Sequence, residues 1–65
     1  MNEQYQYRHF TQTNGREWSA PGGVFVWRRY DTWCVYRHDG AKLIDQSYTT
    51  AQAAIDAYWD TPNAL

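Results

Sequence analysis

Twelve of the 65 residues are Trp, Tyr or Phe, and four of the twelve are Trp. This aromatic load constrains the fold more than any other feature. A chain this short encloses too little interior to bury every ring. Some rings must therefore lie on the surface, where flat amphipathic side chains make good binding anchors. The expectation is one small module that works by recognition.

Size narrows the options further. Sixty-five residues make one domain at most, near the lower limit for folding on a hydrophobic core alone. Cys34 is the only cysteine, so no disulfide can form within the chain. Cys34, His9 and His38 are too few soft ligands for a closed zinc site. No cofactor is expected. Large aromatics, each burying about 150–250 Å², must supply most of the stability.

Six Lys and Arg stand against seven Asp and Glu, a formal net charge of −1. Nucleic-acid binders usually carry a net basic footprint, so the balance counts against that class. No apolar run is long enough for a transmembrane span or signal peptide. A single free cysteine suits a reducing cytosol, and a cytoplasmic location is expected. Starting at Met1 without tag or linker, the chain is expected to be a whole natural product.

The clearest element is a helix at about residues 50–60. Thr49-Thr50 offer an N-cap before an alanine-rich stretch. Ala51, Ala54, Ile55, Tyr58 and Trp59 form an apolar stripe at helical period, and Thr61-Pro62 stops it. Upstream, Asp39-Gly40 favours a two-residue type I′ turn between strands Trp33–Arg37 and Lys42–Tyr48. A tight reversal at Asp31-Thr32 joins Val24–Tyr30 to Trp33. Residues 24–48 thus read as a three-stranded meander ahead of the helix. Residues 1–23 read either as a hairpin or as a mobile arm. In the hairpin reading, residues 4–10 form a strand, Asn14-Gly15 turns, residues 16–19 return, and Pro21-Gly22-Gly23 is a loop or hinge. The fold class is α+β, an antiparallel sheet of three to five strands with one carboxy-terminal helix.

Alternation along the strands sorts the side chains. One face carries Phe25, Trp27, Arg29, Cys34, Tyr36, His38 and Leu43, and this face is expected to bed the helix. The other carries Val24, Val26, Arg28, Tyr30, Trp33, Val35, Arg37, Lys42 and Ile44. A one-residue slip at either turn would swap the faces of a strand.

The segment from Trp33 to Arg37, a glycine turn, and then Tyr48-Thr49-Thr50-Ala51 with spaced alanines to Ala57-Tyr58 resembles the ethylene-response-factor type of DNA-binding domain. It also resembles the related amino-terminal domains of some integrases. The resemblance covers about half the chain. It implies a three-stranded sheet on one helix, with the exposed sheet face entering the major groove through Arg28, Trp33, Arg37 and Lys42. The first strand lacks the family's dense arginines, and the spacing from Trp33 to Arg37 is one residue short.

Trp, Tyr and Arg are the usual hot-spot residues of protein interfaces. The favoured expectation is a non-enzymatic protein-binding module with Trp27, Arg28, Tyr30, Trp33, Arg37 and Lys42 as contact residues. A phage or mobile-element inhibitor of a host machine, of the anti-CRISPR or anti-defence type, suits a cofactor-free chain this small. The alternative is a DNA-binding accessory domain using the same face, and a homodimer is a third way to hide the rings. Cys34, His38 and Asp45 point to one face and could suggest a thiolate with a base. The chain is too small for a substrate pocket as well as an oxyanion hole, so Cys34 is read as a small buried hydrophobe.

Overall fold

The structure, a computed structural model, describes residues 5–60. Gln4 of the expected first strand and the Thr61-Pro62 helix stop lie outside the described residues. Five strands and one helix follow in order: β1 (Gln6–Tyr7), β2 (Phe10–Asn14), β3 (Glu17–Ala20), β4 (Val24–Arg29), β5 (Thr32–Arg37) and α1 (Ala51–Asp60). The strands form one antiparallel sheet in chain order, the α+β class expected. The described part of residues 1–23 is not an arm: it supplies three of the five strands.

The turns explain how the register is set. The β1–β2 turn puts Arg8 and His9 at φ 49° and 73°, a left-handed region that disfavours side chains. Contacts to the helix hold it there. The Trp59 indole N–H donates to the Arg8 carbonyl at 2.9 Å, and the His9 and Trp59 rings meet edge to face at 5.8 Å. At the β2–β3 turn Asn14 opposes Glu17, and the Asn14 carboxamide oxygen accepts the Arg16 N–H at 2.7 Å, an Asx turn.

The Pro21-Gly22-Gly23 segment is a tight connection, with Gly22 and Gly23 at φ 96° and 85°. A Cβ built on Gly23 would sit 3.1 Å from both Cβ and Cδ2 of His38. Gly23→Ala is therefore expected to cost about 1–2 kcal/mol, from the left-handed backbone and the crowding together. Urea unfolding of the two proteins measures it.

The described part of residues 4–10, expected as one strand, is instead broken by the Arg8-His9 turn into β1 and the start of β2, and two later turns also differ from expectation. Arg29 opposes Thr32, so the β4–β5 reversal is at Tyr30-Asp31, one residue earlier than expected. The pairing shifts by two, which preserves the face of every side chain. After β5, the chain turns through three residues rather than two. Arg37 N–H donates to the Ala41 carbonyl at 2.7 Å, Gly40 N–H donates to the Arg37 carbonyl at 2.8 Å, and Gly40 takes φ 92°. This is the bulged three-residue hairpin loop. It moves the register by one, so Lys42 opposes Tyr36 instead of Arg37. The expected strand Lys42–Tyr48 does not form. The chain bends away after Leu43 and returns at Tyr48, which exchanges hydrogen bonds with Trp33 at 2.7 and 2.9 Å.

The helix is capped as its sequence predicts: the Thr50 hydroxyl accepts the Ala53 N–H at 3.0 Å. Ala51, Ala54 and Ile55 are buried, and Tyr58 packs at the margin of the core. The sidedness, however, is the reverse of that expected. The helix lies over Val24, Val26 and Val35, joined by Phe10 and Trp18 from the amino-terminal strands. Alanines let the helix approach closely, and a bed of short β-branched side chains meets it better than a bed of indole and phenol rings.

Acidic residues of the helix find their partner inside the chain. Arg8 pairs with Asp56 at 2.7 Å and lies 3.8 Å from Asp60, and the Tyr7 hydroxyl donates to Asp56 at 2.9 Å. The Arg8 hydrogen bond, then that of Tyr7, holds the Asp56 carboxyl below its usual range. The Asp56 hydrogen bond pushes the Tyr7 phenol up. A depressed acid contributes stability above its ordinary range, lost as pH falls through the lowered folded value. A raised phenol contributes below about pH 10, and that is lost as pH rises through the raised folded value. Asp56→Asn is expected to flatten the Tm–pH profile in both the acid and the alkaline arms.

Candidate binding surface on the open sheet face

Cross-strand partners share a face. The side away from the helix therefore carries one row of Gln6, Thr11, Ser19, Phe25, Tyr36 and Lys42. A second row holds Glu17, Trp27 and Cys34. The first three strands contribute polar side chains here; the aromatics are confined to β4 and β5. Phe25 and Trp27 stack at 5.4 Å with 22° between planes, and Trp27 meets Tyr36 at 4.9 Å and 35°. Tyr36 is only 8% exposed and Cys34 is buried, so the strip is a packed ledge with Trp27 flanked by both neighbours.

Cations border this ledge. Asn14, Gly15, Arg16, Glu17, Trp27, Arg28, Arg29, Tyr36 and Gly40 line an open groove of about 850 Å³. The Arg28 N–H donates to the Arg16 carbonyl at 2.9 Å, tying the β2–β3 turn to β4. Tyr36, as hydrogen-bond partner, pushes the Arg29 guanidinium above its ordinary value. Arg16, Arg28, Arg29 and Lys42 make no ion pair among the described residues, whereas Arg8 pairs with Asp56 and Arg37 with Asp39. The near-neutral chain thus has a locally basic surface.

The expected contact residues do not share one surface. Trp27 and Lys42 lie on the open side. Arg28, Trp33 and Arg37 alternate with Val26 and Val35 onto the helix side, although Arg28 is exposed at the strand end and reaches the groove. Trp33 packs on the core. Arg37 holds Asp39 through two hydrogen bonds, at 3.1 and 2.6 Å. Tyr30 occupies the β4–β5 turn. It is 91% exposed and sits at φ 59°. Sequence reasoning missed Arg16, because it belonged to a segment read as optional. Arg29 and Tyr36 were missed because they were assigned to the helix bed.

The chain matches no protein-family model, no curated protein and no solved structure.

The remaining chemistry is sparse. Asp45 lies in the bends after Leu43 and is not paired with Cys34. Among the described residues, no group of three His, Cys, Asp or Glu could hold a metal. No helix among them is long and apolar enough to cross a membrane.

Proposed function

We propose that this chain is a non-enzymatic protein-binding module whose contact surface is the open sheet face and the β4–β5 turn. The observation that carries this reading is segregation. The uncovered face holds Phe25, Trp27 and Tyr36 beside Arg29 and Lys42, with Arg16 and Arg28 at the rim, and these cations make no ion pair among the described residues, whereas Arg8 and Arg37 are paired with Asp56 and Asp39. Aromatic rings and arginines in one patch are the usual composition of a hot spot. The proposal includes a cytoplasmic role as an inhibitor that covers a working surface of a host machine, of the anti-CRISPR or anti-defence type. Its support is small size and the free, buried Cys34 thiol, which suits a reducing compartment.

The DNA-binding alternative draws on the same arginines. The four residues implied by the ethylene-response-factor resemblance are divided between two faces, and that counts against it.

Tyr30 provides the test. A bulky residue at positive φ costs about 1 kcal/mol, and at 91% exposure it recovers little by burial. Strain kept at an exposed position points toward function. Asparagine tolerates the left-handed region better. Tyr30→Asn is expected to raise Tm by a few degrees and to weaken retention of the partner captured by the wild-type chain after nuclease treatment. Stabilisation with undiminished capture removes the turn from the surface. Loss of stability refutes the strain argument.

A further inference from the structure

Resting on that reading, we propose that the groove between the β2–β3 turn and the Trp27–Tyr36 ledge binds a short acidic peptide segment of the partner. Its carboxylates would be held by Arg16, Arg28 and Arg29. Charge complementarity selects this occupant. Three arginines line one open groove of about 850 Å³, Arg29 from its floor side and Arg16 and Arg28 from its rim, and none has a carboxylate partner among the described residues. Guanidinium forks pair with carboxylates through parallel hydrogen bonds. Trp27 and Tyr36 supply an apolar floor that excludes water beneath such pairs, which strengthens them.

Two features favour an acidic peptide over single-stranded nucleic acid. Nucleic-acid platforms stack bases on open ring faces, but Trp27 is flanked by Phe25 and Tyr36 at 5.4 and 4.9 Å, and Tyr36 is 8% exposed. A phosphate polymer also carries charge along its whole length. Glu17 lines the groove and Asp31 lies in the adjacent turn, so the favourable zone is short and suits a few carboxylates.

The probe is capped hexaglutamate, with hexalysine and hexathymidylate as comparators, titrated into the full chain and followed by amide chemical shifts. Hexaglutamate is expected to give saturable shifts confined to residues 14–17 and 27–30. Arg28→Gln and Arg29→Gln should each weaken it about tenfold, the usual effect of removing a charge-assisted hydrogen bond. Arg8→Gln, whose guanidinium pairs with Asp56 on the helix and does not line the groove, should leave affinity unchanged.

Absent saturation, shifts centred elsewhere, or equal response to hexalysine overturn the proposal. Tighter binding of hexathymidylate overturns it in favour of nucleic acid. These failures leave the protein-docking reading standing if Trp27→Ala and Tyr30→Asn still reduce partner capture. If hexaglutamate binds but both variants capture the partner normally, the docking reading has failed and this proposal falls with it.

Discussion

Phe10→Ala is expected to remove about half or more of the chain's folding stability. Phe10 is 0% exposed, and its ring meets Tyr58 and Trp59 edge to face at 5.8 and 6.3 Å. Truncating a buried Phe costs about 3–5 kcal/mol. A domain of this length has a total stability of about 3–10 kcal/mol, so one substitution removes much of it. Near-ultraviolet circular dichroism and urea titration read the loss, and Phe10→Leu should recover most of it by restoring volume. A near-zero effect would mean that β1 and β2 dangle from a core complete without them.

Trp27→Ala should separate recognition from folding. Its ring is partly exposed and contacts Phe25 and Tyr36, aromatic pairs worth about 0.5–1.5 kcal/mol beyond their area. A moderate fall in Tm is expected, with circular dichroism otherwise native. Partner affinity should drop about 30-fold or more, corresponding to a hot spot of about 2 kcal/mol. Trp27→Phe should retain most of both. Salt gives an independent readout: an aromatic-anchored contact responds weakly, whereas several phosphate contacts would lose affinity steeply between low and moderate salt. Unchanged capture by a folded Trp27→Ala protein would place the contact surface elsewhere.

The helix was legible because its signal is local. Thr50 and the spacing of Ala51, Ala54 and Ile55 require no knowledge of the rest of the chain, and the structure puts all three in the core with Thr50 as cap. The face it covers was not legible. Both sides of β4 and β5 are apolar, and the aromatic side offers more area than Val24, Val26 and Val35. What decides is the fit to a nearly flat alanine surface, together with Phe10 and Trp18 arriving from strands read as optional. Register failed where turn type depends on one residue. Asp39-Gly40 serves equally a two-residue turn and the second half of a bulged three-residue loop. The observed loop exchanges the face of Lys42, while Ile44 still packs on the valine side. The candidate surface was therefore half visible: Trp27, Tyr30 and Lys42 by composition, but not Arg16, Arg29 or Tyr36, whose placement depends on which side the helix takes.

The Arg8–Asp56 and Trp59–Arg8 contacts span 48 and 51 positions of sequence. Such closure is slow relative to local pairing. It also has a direction in time, because synthesis runs from the amino terminus. The valine side of the sheet cannot be roofed until the last helical turn has left the ribosome. Until then Phe10 and Trp18 stay wet on a nascent meander, and a ribosome stalled before Ile55 would hold a sticky, unfinished sheet.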